Sequence, residues 1–71
     1  MDIRRQVGLN VKRLRQAKGW SQEKFAFESG LHRTYISGIE RGIRNPTVTV
    51  IEKLAVTLDV SPEELLAEQN S

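Results

Sequence analysis

The sequence predicts an all-α fold, five short helices in one compact domain. Three observations predict it. Apolar residues recur at helical spacing in the first and fourth segments of the chain. Strand-like alternation is nowhere sustained, and two-residue hairpin signals are absent. Helix-start and helix-stop residues (Ser21, Gly30, the run Ser61-Pro62-Glu63-Glu64) punctuate the chain at short intervals.

In helix 1, Ile3, Val7, Val11 and Leu14 are spaced four, four and three apart and make one apolar stripe. Arg4, Arg5, Lys12, Arg13, Gln16 and Lys18 take the other faces, and Gly19 is a good left-handed stop. Helix 2 starts at Ser21, whose hydroxyl can accept an otherwise unpaired backbone N–H. Trp20 before it and Phe25 within it are placed to form a hydrophobic staple, while Lys24 stands where a capping box needs Glu or Gln. Phe25 and Ala26 face inward, and Gly30 supplies the turn. Helix 3 runs from about His32 to Arg41. Ile36 and Ile39 form its inner face; Arg33, Thr34, Ser37 and Gly38 lie largely off it.

Gly42 stops helix 3, and Pro46 disfavours helix at Asn45, so residues 43–46 form a loop. Thr47 caps helix 4, in which Val50, Ile51, Leu54, Ala55 and Leu58 repeat at helical spacing. β-Branched residues crowd its first turn and lower its intrinsic propensity, so tertiary packing must hold it. Ser61, Pro62 and Glu64 combine an N-cap, a proline at the first helical position and a capping-box glutamate. Helix 5 follows with Leu65 and Leu66 and frays into Glu68, Gln69, Asn70 and Ser71.

At 71 residues the chain is one small domain, 1–71, with a core that oligomerisation commonly supplements. It has no cysteine, hence neither a disulfide nor a thiolate metal site. No apolar run approaches the ~20 residues that span a bilayer, and MDIRRQ leads into no signal-peptide core. A soluble, cytoplasmic protein without membrane contact is expected. One histidine, no glycine-rich phosphate loop and no metal-spaced carboxylate cluster argue against an enzyme, and no cofactor, metal or small-molecule ligand is implied. The net charge of +2 divides unevenly. Residues 1–45 carry ten basic and four acidic side chains, a balance of +6, and residues 46–71 carry one and five, a balance of −4. A basic front and an acidic rear suit a protein that meets a polyanion in one orientation.

Residues 21–42, SQEKFAFESGLHRTYISGIERG, carry the sharpest functional signal. A capped helix, a glycine turn and a second helix with an exposed polar face read as a helix-turn-helix, which lays its second helix in the DNA major groove. Taken in order and at its spacing, LNVKRLRQAKGWSQEKFA, ESGL, RTYISGIERGIRNPTV and IEKLAVTLDVSPEELL resemble the phage-repressor-like helix-turn-helix family of the lambda and 434 repressors and Cro. Within that family the compact length and HRTYISGIERGIRNPT are most similar to the controllers of restriction–modification systems. The resemblance covers about residues 5–67 and implies a lambda-repressor-like five-helix domain that regulates transcription as a homodimer on a pseudo-palindromic operator in double-stranded DNA. RNA polymerase, occluded or recruited, is its further partner. An antitoxin, or another module that holds a partner protein, is the alternative, although little chain remains beyond residue 65 to wrap one.

The resemblance assigns roles by position. Arg33, Thr34 and Ser37 match base-reading positions. Gln22, Tyr35, Arg41, Arg44 and Asn45 match contacts to the DNA backbone, with Arg13 a weaker candidate. Arg15 and Glu40 match a structural ion pair between helix 1 and the end of helix 3. Helices 4 and 5, residues 47–67, supply core and dimer surface, and Leu58, Val60, Leu65 and Leu66 are candidates for either. His32 departs from the usual Ser, Asp or Thr at the helix 3 cap; it is either an idle surface ring or a source of pH-dependent binding. Mid-helix Gly38 suits close approach to DNA or tight packing against helix 2 or helix 4.

Overall fold

The computed structural model describes residues 2–68. Five helices follow in order, α1 (Ile3–Ala17), α2 (Gln22–Ser29), α3 (Arg33–Glu40), α4 (Val48–Leu58) and α5 (Pro62–Leu66), and the described residues contain no strand. The expected tail of Gln69, Asn70 and Ser71 lies outside the described residues.

Local chemistry accounts for most helix ends. The Asp2 carboxylate accepts from the Arg4 backbone N–H at 3.0 Å and starts α1. Its hydrogen bonds with Arg4 hold that carboxyl below the usual carboxylate range. Ser21 Oγ accepts from the Lys24 N–H at 3.0 Å, and Thr47 Oγ1 from the Val50 N–H at 3.2 Å. The Trp20 and Phe25 rings meet with centroids 6.0 Å apart, forming the staple at the entrance to α2. Gly30, at φ 73°, lets the chain leave α2 in the left-handed region and turn into α3.

One cap expectation needs correction. Ser61 and Pro62 stand at the start of α5 as expected, but the serine side chain makes no cap bond. The Glu64 N–H it would have taken donates instead to the Ser61 carbonyl at 3.0 Å. His32 begins α3 without a side-chain cap bond, in keeping with its departure from the usual Ser, Asp or Thr.

The core is Val7, Val11, Phe25, Ala26, Ile36, Ile39, Ile51, Leu54, Ala55, Leu58 and Leu65. α1 packs on both α3 and α5, α2 on α3, and α4 closes the far side against α2 and α5. This burial is what holds α4 despite its β-branched start. The helix 1 stripe reaches the core through Val7 and Val11, with Leu14 packed at its edge, but Ile3 is exposed. Ile3 lies at the first turn, past the end of the core, where it lines a shallow groove with Pro46, Val48, Pro62 and Leu66. The helix 4 and 5 leucines divide clearly. Leu58 and Leu65, at 2% and 0% exposure, are sealed inside this one chain and have no surface to offer a dimer partner. Val60 is partly buried and Leu66 is 45% exposed.

Two polar residues that the stripe did not single out are buried beside it. Asn10 Nδ2 donates to the carbonyls of Leu65 and Ala67 at 2.8 and 2.9 Å, and Gln6 Nε2 to that of Leu66 at 2.7 Å. Side chains of α1 thereby satisfy the open carbonyl end of a helix too short to close itself. The signal available in the sequence was their spacing, since residues 6 and 10 adjoin the buried 7 and 11 at the same interval.

Candidate nucleic-acid interface

α3 is eight residues long, and its two sides differ in chemistry. Ile36 and Ile39 are fully buried, and Glu40 is nearly so. Arg33 and Thr34 are exposed and Ser37 is half-buried, so the three residues fall on the outward arc of one helix. Arg41, Arg44 and Asn45 follow at its C-terminal end, all exposed. Tyr35 is half-buried and packs against the core from the flank. Arg13 is exposed on α1. Among the described residues the ion-paired arginines are Arg4 and Arg15, so Arg13, Arg33, Arg41 and Arg44 have no carboxylate partner. Arg33, Arg41 and Arg44, on α3 and the turn that follows it, give this end of the helix positive charge that no carboxylate offsets, an anion-seeking surface.

Beneath this surface the end of α3 is bolted to the body. Arg15 grips Glu40 with two bonds, Nε to Oε2 at 2.6 Å and Nη2 to Oε1 at 3.0 Å. Arg15 Nη1 also donates to the Trp20 carbonyl at 2.7 Å. Both side chains are buried, at 9% and 3% exposure, and the fork-on-carboxylate geometry is the strong form of the contact. Gln22, the first residue of α2, adds a third bond, its Nε2 donating to Glu40 Oε1 at 3.0 Å. One carboxylate thus ties together the end of α1, the start of α2 and the end of α3. A carboxylate only accepts, so it orients the Gln22 amide with its nitrogen toward Glu40. The second N–H of that nitrogen remains for another acceptor at the half-buried edge of the site.

α1 and α3 also touch through their backbones. Gly8 is buried where they cross, and a side chain there would run into the carbonyls of Ile39 and Glu40. No feature of the sequence pattern singled out Gly8, because its requirement comes from a helix some thirty residues away.

Among the described residues no group of three or more His, Cys, Asp or Glu is placed to hold a metal ion, and no helix is long and apolar enough to cross a membrane.

Comparison with known proteins adds identity to this geometry. Residues 11–65 match the family described as helix-turn-helix. Control protein C.BamHI of Bacillus amyloliquefaciens is 52% identical over 66 residues, an alignment that covers 92% of this chain and 82% of that protein. The crystal structure of the restriction-modification controller protein C.AhdI from Aeromonas hydrophila matches with a TM-score of 0.84 at 50% identity, covering 87% of this chain and 94% of that one. The controller protein C.Esp1396I, solved as a tetramer in complex with its natural 35 base-pair operator, matches with a TM-score of 0.80 at 37% identity, covering 94% and 99% of the two chains.

Proposed function

The chain belongs to the helix-turn-helix family, and from that premise we propose that it is a sequence-specific transcriptional regulator of the restriction–modification controller type, binding operator DNA as an oligomer of at least two copies. The observation that carries this reading is the outward arc of α3. It joins Arg33, Thr34 and Ser37 to a cluster of unpaired arginines on a helix bolted to a rigid body. Similar controllers, one of them assembled on its operator, support it.

In this reading Arg33 makes a bidentate contact to guanine O6 and N7, and Thr34 and Ser37 read neighbouring base edges or the thymine methyl. Gln22 holds a phosphate with its remaining N–H while bracing Glu40. Tyr35, Arg41, Arg44 and Asn45 engage the backbone, Arg13 more peripherally. These contacts add affinity and salt dependence rather than sequence information. The whole of 1–71 serves as one DNA-binding domain, with 47–67 turned away from the operator. There the exposed Leu66 and the partly buried Val60 are the residues left to contribute to a dimer surface. Two copies related by a two-fold axis would read half-sites about one helical turn apart, or a multiple of it. RNA polymerase is the partner it blocks or recruits. The site is one of recognition and carries no catalytic assignment.

Selection of random duplex DNA on the purified protein, read by sequencing, tests this. A two-fold-symmetric enriched site is expected. Unenriched DNA, recovered where the chain is folded and dimeric, would overturn the reading in favour of a module that holds a protein partner. On the selected site, Arg33→Ala should weaken binding by about 1–3 kcal/mol and relax one base position. Loss of affinity with the base preference intact would move Arg33 to the phosphate backbone.

A further inference from the structure

Gly38 lies on the outward side of α3 and is nevertheless buried. Arg44 covers it. A Cβ built on Gly38 would stand 2.5 Å from Arg44 Cγ, 3.3 Å from Nε and 3.5 Å from Cδ. The backbone begins this crossing, because the N–H groups of Ile43 and Arg44 both donate to the Gly38 carbonyl, at 3.0 and 3.2 Å. The chain therefore turns back over the end of α3, and the arginine stem lies in the space a larger residue would fill. Its guanidinium carbon ends 5.9 Å from the centroid of the Tyr35 ring, within cation–π reach. Tyr35 and Gly38 are three residues apart and so are neighbours on the helix surface.

The geometry points to Gly38 and Tyr35 as a seat that positions Arg44 for DNA. The inference rests on the operator-binding reading above. Gly38 has no side chain of its own, and Arg44 occupies its place, becoming in effect an additional side chain of the recognition helix supplied from the following loop. A free arginine surrenders much rotamer freedom when it meets a phosphate or a base edge; a seated one has surrendered part of it already. This accounts for a glycine in mid-helix, where its intrinsic propensity is poor. It also separates the roles: Arg44 touches DNA, Gly38 acts only through it, and Tyr35 seats it in addition to the backbone contact assigned above. Neither packing against helix 2 or helix 4 nor a close approach of the glycine to DNA is needed.

Gly38→Ala is a usable probe. Gly38 is not among the glycines with positive φ, and alanine is the better helix former, so the variant should fold. Its methyl displaces the Arg44 stem. In the wild-type background it should weaken operator binding about 2- to 10-fold. In the Arg44→Ala background, which itself flattens the salt dependence by about one counterion, it should do nothing further. In the free protein, the Arg44 δ and ε protons should be shifted by the Tyr35 ring current, and the shift should vanish in both Gly38→Ala and Tyr35→Leu. Unshifted Arg44 resonances in the wild type would overturn the seat. So would an equal loss from Gly38→Ala in both backgrounds, which would mean that the glycine itself faces DNA. A wild-type protein that selects no DNA would instead remove the operator reading beneath it, with the Arg44 shift still reporting on the seat.

Discussion

Glu40→Ala is expected to cost about 3–5 kcal/mol of folding stability, enough to leave a domain of this size largely unfolded near physiological temperature. The carboxylate accepts three hydrogen bonds and is 3% exposed. Its removal leaves the Arg15 guanidinium buried, with only the Trp20 carbonyl as a partner for its five N–H groups. The large term is the stranded cation rather than the lost attraction. Replacing both partners by apolar residues of similar size should therefore destabilise less than replacing either alone. Thermal denaturation of Glu40→Ala, Arg15→Met and the double variant Arg15→Met/Glu40→Met checks this. The first should lower Tm by more than about 10 °C, with the double variant above both singles. A double variant that melts lowest of the three would show that the pair is a net source of stability. Glu40 faces inward, so base preference should be unchanged wherever enough of the variant is folded to measure it.

Gly8→Ala sets two local effects against each other. Alanine should favour α1 by about 1 kcal/mol on intrinsic propensity. Against this, its methyl would run into the Ile39 carbonyl oxygen and lie 2.9 Å from that of Glu40. A flexible side chain could swing aside, but helix backbone cannot, so α3 must shift as a body. Packing should win, with a net loss at the upper end of the usual overpacking range, about 3 kcal/mol. The shift also moves the recognition helix relative to α1. Operator affinity should therefore fall at temperatures where the variant remains folded. An increase in Tm would show that the two helices have slack at their crossing and that propensity governs the position.

Much of the fold was legible in local chemistry. The stripe through Val7 and Val11, the Ser21 cap with its Trp20–Phe25 staple, the turn at Gly30 and the Thr47 cap all depend on residues within about one helical turn or a tight bend of one another. The hydroxyl caps at Ser21 and Thr47 succeeded and that at Ser61 did not. α5 is five residues long, and its first turn tightens onto the Ser61 carbonyl. The polar arc of α3 followed from the placement of Ile36 and Ile39. Assignment of particular arginines to bases or to phosphates came from family resemblance alone, because an exposed polar helix face looks the same in sequence whatever it meets.

By itself the sequence determined five helices, their order, the glycine turn that sets α3 against α2, and a basic front backed by an acidic rear. All of these arise from interactions along the chain or from composition. Only the tertiary structure decided which apolar residues of the last two helices are core, why Gly8 and Gly38 must be small, what Gln6 and Asn10 hold, and that Gln22 joins the Arg15–Glu40 pair. The deciding contacts join residues far apart in the chain: Gln6 reaches a carbonyl 60 residues on, Asn10 one 55 on, and Arg15 a carboxylate 25 on. Periodicity says which face of a helix turns inward, but burial and hydrogen-bond satisfaction depend on what that face meets, and only packing in three dimensions brings the partner there.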